Sequence, residues 1–221
     1  VFTEPPPRKY RGSRPTGNPA DHESAKALEQ FDVHPDLEVS LFAAEPMMVN
    51  PSNIDIDHLG RVWVCEVVNY RGRRNTRPEG DRILILEDTN HDGVADSRKV
   101  FLEGIPFPSA IAVGFNGLWL GAPPNLLFVP DLDGDDRADT DDIEVRLTGW
   151  GIRDRHETLN SFHWGPDGWL YGCQGYATPS KVGKPQGAGR LYKHKESFPS
   201  LDEIAFDGQP VDINGGVFRY H

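Results

Sequence analysis

Apolar and polar residues alternate along this chain in short runs, and the runs recur at regular intervals. Three segments share one layout: an alternating run, a turn with glycine, then a second run bearing an aromatic residue. They are SNIDIDHLGRVWVCE (52–66), SAIAVGFNGLWLGA (109–122) and NSFHWGPDGWLYGC (160–173). Period-two alternation marks a strand, and glycine readily supplies the positive φ of a tight hairpin. Three hairpins are therefore expected, turning at Gly60, Gly117 and Gly168, which stand 57 and 51 residues apart. The first two units continue alike, through RILILED (82–88) or NLLFVPD (125–131), an acidic loop, and SRKVFLEG (97–104) or IEVRLTG (143–149). Four strands per unit at a period of about fifty predict an all-β chain of β-propeller blades. The third unit is interrupted at about 176–213 and resumes with GVFRYH (216–221), where its third strand should run.

This pattern amounts to the first two and a half to three blades of a ring, at about 37–104, 105–149 and, incomplete, 150–221. Residues 1–20 are proline-rich and unpatterned, which predicts a flexible lead-in; the partial propeller occupies 21–221. Residues 21–31 fit one short helix, begun at Asp21 or His22, with Ala25, Leu28 and Phe31 on one face. Blades bury their faces on neighbours, so a partial ring should leave a face bare and be poorly stable or self-associating.

Composition sharpens this in a few places. Gly 23 and Pro 19 supply the turns that many short strands need. The net charge of −11 and the lack of a basic stripe exclude a nucleic-acid binder. One basic cluster, Arg71, Arg73, Arg74, Arg77 and Arg82, is either a solvated loop or an anion contact at a site mouth. Cys65 and Cys173 show no zinc, haem or CxxC spacing, and their pairing is open. No apolar run reaches membrane-spanning length.

The two acidic loops carry candidate metal chemistry. Asp88, Asn90, Asp92 and Asp96 place oxygens at positions 1, 3, 5 and 9 of an EF-hand-like loop, and Val94 could add its carbonyl. The second loop repeats this with Asp131, Asp133, Asp135 and Asp139, has Asp136 where glycine is usual, and places Asp142 at position 12. A structural Ca²⁺ at each hairpin tip is one reading; solvated carboxylates are the other.

In a four-stranded meander successive turns alternate between the two faces of the disc. The acidic loops share one face. The loops between second and third strands share the other with the segments NPSN (50–53), FPSA (107–110) and RDRHETLN (153–160), which lead into each unit. Irregular loops on one face are where a site is expected. His156 is the candidate general base, with Asp154 to orient it, and Asn160 to bind a substrate or cofactor oxygen. Arg153 flanks it, and Asn69, Tyr70 and Arg71 suit a polar or anionic ligand. The competing readings are a histidine that only ties loops together and a self-satisfied Asn69–Arg71 loop.

The runs LFAAEPMMVNPSNIDIDHLGRVWVCEVVNYR (41–71), ILILEDTNHDGVADSRKVFLEG (83–104) and DRHETLNSFHWGPDGWLYGCQG (154–175) resemble the membrane-bound dehydrogenase N-terminal family, bacterial proteins often fused to a c-type haem domain. Their propeller is similar to that of soluble quinoprotein glucose/sorbosone dehydrogenases. The resemblance implies a six-bladed ring, a secreted or periplasmic setting, pyrroloquinoline quinone (PQQ) and a sugar or alcohol substrate. His156, standing before Asn160 and Gly165-Pro166-Asp167-Gly168, matches the histidine that takes the substrate's hydroxyl proton as hydride moves to the quinone. In those relatives the quinone's Lys, Arg and Asn ligands come mostly from later blades, which this chain is expected to lack, and no CxxCH is present. Two other functions compete: a non-catalytic, calcium-stabilised propeller that binds glycan or protein, and a metal-dependent hydrolase or lactonase using Glu66, Asn69 and Asn160.

Overall fold

The computed structural model describes residues 24–69 and 77–221. Nearly all regular structure is antiparallel β. Strands β1 (Pro51–Ile56), β2 (Val62–Glu66), β3 (Asp81–Glu87) and β4 (Ser97–Ile105) form the first sheet, hydrogen-bonded in chain order. Strands β5 (Ala110–Val113), β6 (Gly117–Ala122), β7 (Asn125–Pro130) and β8 (Glu144–Thr148) repeat that order in the second. The third sheet pairs β9 (Asn160–Trp164) with β10 (Leu170–Gln174). Its next strand is β13 (Gly216–Tyr220), reached after an excursion holding the ribbon of β11 (Ser180–Val182) and β12 (Val211–Ile213).

The sheets stack through alternate side chains. Trp63, Cys65, Ile83 and Ile85 of the first meet Ile111, Leu118, Leu120 and Leu127 of the second. The reverse face of the second, with Ala110, Ala112 and Leu126, meets Trp150, Leu159, Phe162 and Leu170. Because both faces of the second sheet are covered, β6 and β7 read as nearly unbroken apolar runs rather than as alternating ones. The outer face of the first sheet, Val64, Leu84 and Leu86, is capped by Phe42, Ala43, Met47 and Met48. Residues 37–49 thus form no strand and act as a cover. The outward face of the third sheet presents Val217, 77% exposed.

First strands β1, β5 and β9 lie side by side across the sheet boundaries. A repeated staple holds them. Ser52 Oγ donates to Pro108 O at 2.9 Å, and Ser109 Oγ, one repeat later, donates to Leu159 O at 2.5 Å. Val113 N donates to Asp55 Oδ2 at 2.7 Å, and Trp164 Nε1 to Val113 O at 2.9 Å.

Asp57 and Asp136 tie the first two sheets together at the opposite face. Asp57 accepts from Leu59 N, Arg61 N, Arg61 Nε and the buried Trp63 Nε1. Arg61 Nη1 reaches on to Asp136 Oδ1 at 2.6 Å, and Lys99 bonds the other Asp136 oxygen.

Two expectations need correction. The helix covers only Ser24–Leu28, and Phe31 is 59% exposed, so the predicted apolar face meets no core; Asp21 and His22 lie outside the described residues. Gly117 does not supply the positive φ of its hairpin. Phe115 (φ 59) and Asn116 (φ 58) do, as in a type I′ turn. Gly117 is needed because a Cβ there would lie 2.6 Å from Val129 O. Gly60 (φ 81) and Gly168 (φ 80) do turn their hairpins as expected. The question of the cysteines is settled too: both are free, at equivalent places on β2 and β10, with the second sheet between them.

Candidate functional site

The stacking of β1, β5 and β9 forces the segments that lead into them onto one face. Asn50–Asn53, Phe107, Ser109, Arg155, His156, Thr158, Asn160 and Ser161 there line a cleft of about 470 Å³. Asn50 (φ 51), Phe107 (φ 51) and Ser161 (φ 57) have left-handed backbone, which is costly for a residue as bulky as phenylalanine. Such strain persists only where surrounding bonds impose it, and it gathers at functional sites. Phe107 N is held by Asp81 Oδ2 at 3.3 Å, and Asn50 is bonded through its side chain to Val67 O.

His156 stands on the third sheet's approach segment, at the cleft wall. Its backbone N donates to Asp154 Oδ1 at 2.9 Å, and its Nδ1 lies 3.3 Å from the same oxygen. A proton on Nδ1 shared with that carboxylate places the basic lone pair on Nε2, the arrangement a general base needs. The loop beneath is fixed. Thr158 Oγ1 donates to Gly151 O at 2.7 Å, Thr178 Oγ1 to Asp154 O at 2.9 Å, and Ala177 N to Glu157 Oε2 at 2.7 Å. A Cβ on Gly175 would fall 2.6 Å from that of Glu157, so only glycine lets the two loops close.

Other candidates fall elsewhere. Asn160 lines the cleft, but its Nδ2 donates to Thr158 O at 2.8 Å and its Oδ1 accepts from the Cys173 thiol. Asn69 clasps its own loop, donating to Arg77 O at 2.9 Å and accepting from Arg77 N at 3.4 Å, which favours the self-satisfied reading. Tyr70 and Arg71 lie outside the described residues. Arg153 lines a separate apolar recess with Trp150, Phe198 and Leu201; Arg155, whose guanidinium sits 5.8 Å from the Phe107 ring, is the cleft's cation instead. No periodic pattern separates Arg155 from Arg153, because both lie in the irregular segment before β9. Buried Glu66 is bound by Arg82 and approached by Arg77 at 4.0 Å, so it is no ready metal ligand, and Asn69 is committed as well. That removes the donor set of the hydrolase reading.

In the acidic loops, the position-1, -3 and -5 side chains each accept a backbone N–H further along their own loop: Asp88 from Gly93, Asn90 from Asp92, Asp92 from Val94, and Asp131 from Gly134, Asp133 from Asp135, Asp135 from Arg137. In the second loop Asp131, Asp133 and Asp139 each bring an oxygen within 4.8 Å of the others. Asp88, Asp92 and Asp96 do not converge in that way; Asp96 instead binds Thr89, and Val94 is exposed. Asp142 sits in the 3₁₀ turn Thr140–Asp142, outside the cluster. Asp136 takes the left-handed conformation usually left to glycine (φ 65) and turns its carboxylate to Arg61 and Lys99.

Among the described residues no helix is long and apolar enough to cross a membrane. A family model described as a domain of unknown function (DUF7133) matches residues 23–207. No curated protein and no solved structure matches this chain.

Proposed function

The chain belongs to the DUF7133 family, a domain of unknown function, and from that premise we propose that its strand-approach cleft binds a sugar or alcohol whose hydroxyl is deprotonated by His156. One observation carries the reading: the three approach segments converge on a polar cleft walled by an aspartate-oriented imidazole. Asp154 holds the ring and stabilises the charge it gains. Asn53 and Ser161 offer neutral polar groups suited to hydroxyls, and Arg155 offers one fixed charge.

The sheets are read as consecutive blades of a six-bladed propeller, and the activity as that of a sugar or alcohol dehydrogenase of quinoprotein type. In that reaction His156 takes the hydroxyl proton, and loss of the carbinol hydride requires a two-electron acceptor. PQQ is the acceptor that the resemblance implies. Among the described residues the cleft sets one guanidinium, Arg155, against that quinone's three carboxylates, so these residues do not fit it by themselves and no step is written through it. A c-type haem domain as electron partner and a secreted or periplasmic setting belong to the same proposal.

Calcium is proposed at the second acidic loop. Ligands 2.3–2.6 Å from one ion stand no more than about 5 Å apart, a limit that the Asp131, Asp133 and Asp139 oxygens meet. This convergence favours a second reading, a calcium-stabilised propeller that binds glycan without chemistry.

The test measures PQQ binding by calorimetry with Ca²⁺, and dye reduction over a panel of sugars, for wild type, His156→Ala and Asp154→Asn. General-base removal should lower kcat by about 10²–10⁴ and leave substrate binding within a few-fold. Unaltered turnover in His156→Ala refutes the base. Sugar binding without dye reduction refutes the dehydrogenase and leaves the binding propeller.

A further inference from the structure

The cleft does not end at Arg155. Behind Arg155 and Phe107, which line both spaces, is a second compartment of about 230 Å³. It is built by two distant parts of the chain. Asp81 begins β3 of the first sheet, and His194, Lys195 and Glu196 come from the third sheet's excursion. The excursion is locked onto the first sheet: His194 N donates to Gly104 O at 3.0 Å, and a Cβ on Gly80 would lie 2.9 Å from that of His194.

The groups around this compartment are of both signs. Asp81, 2% exposed, accepts from Asn69 N at 2.9 Å and from Phe107 N at 3.3 Å. Burial pushes its carboxyl above the usual range, though those amides and nearby His194 oppose the rise. His194 Nε2 is sealed from solvent and, among the described residues, has no hydrogen-bond partner. An unpaired buried polar atom of this kind calls for an explanation such as an absent ligand. Lys195 holds a left-handed backbone (φ 71) beside it.

An anionic ligand would face Asp81 and Glu196. A cationic one would face Arg155 and Lys195. A wholly apolar one would leave the sealed His194 Nε2 unpaired, at a cost, even though Asp81 keeps its amide donors and Glu196 accepts from Lys193 N at 2.9 Å. A neutral polyhydroxy group can donate to the carboxylates and accept from the cations, while its C–H face lies on Phe107 or Phe198.

We propose that this compartment is a second sugar subsite, so that the cleft takes a disaccharide or longer glycan with one ring beside His156 and the next between Arg155 and His194. The proposal rests on the sugar reading of the cleft given above.

Calorimetric titration of the full chain with glucose, maltose and cellobiose tests it. At least one disaccharide should bind tenfold or more tightly than glucose. His194→Ala, which keeps the backbone bond to Gly104, should bring that disaccharide within twofold of glucose and leave glucose affinity unchanged. Glu196→Gln, at an exposed position, should narrow the preference in the same direction and covers the case in which His194→Ala melts early. Equal binding of all three sugars, no binding of any, or a preference that survives both substitutions overturns the subsite. Disaccharide preference without dye reduction sinks the catalytic reading and leaves the subsite standing; dye reduction without that preference does the reverse.

Discussion

Replacing Asp57 by alanine should destabilise the fold by about 3 kcal/mol. The carboxylate is 8% exposed and receives four donors: Leu59 N at 2.9 Å, Arg61 N at 3.0 Å, Arg61 Nε at 2.8 Å and Trp63 Nε1 at 2.9 Å. Trp63 is 3% exposed, so its indole N–H would lose its partner away from water, at about 1–3 kcal/mol. Arg61 would not be stranded, because Asp136 remains 2.6 Å from its Nη1. Its loss therefore stays below the ~3–5 kcal/mol of a buried ion left without any partner. Asp57→Asn keeps one oxygen for the two backbone donors and should cost roughly half as much. Urea unfolding followed by tryptophan fluorescence measures both, as a lower midpoint at unchanged slope. A shift under about 0.5 kcal/mol, the level of an ordinary surface substitution, would refute the reasoning. The pH dependence gives an independent check. Burial pushes the Asp57 carboxyl up, but bonds from Trp63, Arg61 and the backbone amides outweigh it and hold the group below its ordinary value. A depressed acid stabilises the fold above the unfolded-state value of about 4, and this is lost as pH falls through the folded value. Asp57→Asn should therefore show a shallower acid limb than wild type.

Gly149→Ala should abolish folding or cost several kcal/mol by the same assay, since φ is +108 and a Cβ would lie 1.7 Å from Lys181 O. Gly60→Ala, with φ +81 and nothing within 4 Å, should cost only the ~1–2 kcal/mol of the left-handed backbone, and equal losses would refute the steric account. Thiol labelling should reach partly exposed Cys173 in the native state and Cys65 only on unfolding, because Cys65 is 0% exposed and burial pushes its thiol up; two equally fast thiols would contradict this.

Much of the fold was legible in the residues themselves. The glycine-marked repeat carries local information: period-two alternation and turn chemistry act within a few residues, so hairpins, four-strand units and the late strand at 216–220 could be read from the chain. Even there one glycine misled. Gly117 turns nothing and is small because a neighbouring strand's carbonyl passes beside it, a contact that no local pattern announces. His156 and Asp154 were legible as a pair because they are two residues apart on one loop. The segments that wall the cleft were legible too, since 50–53, 107–110 and 153–160 each lead into a repeat unit on the same face; the contacts that close them together were not. Asn50, Phe107 and Thr158 meet only because Ser52 and Ser109 staple consecutive first strands side by side. The choice of Arg155 over Arg153 depends on which way a loop tied to Thr178 turns its side chains. The approach of His194 to Asp81, more than a hundred residues apart, depends on where an irregular excursion docks. By itself the sequence determined the strands, the repeat and the candidate base, all set by short-range sterics and hydrophobic alternation. Tertiary structure alone decided which carboxylates are committed to arginines, which side chains of the converging loops meet and where the second compartment opens, because packing between sheets is set by side chains distant in sequence.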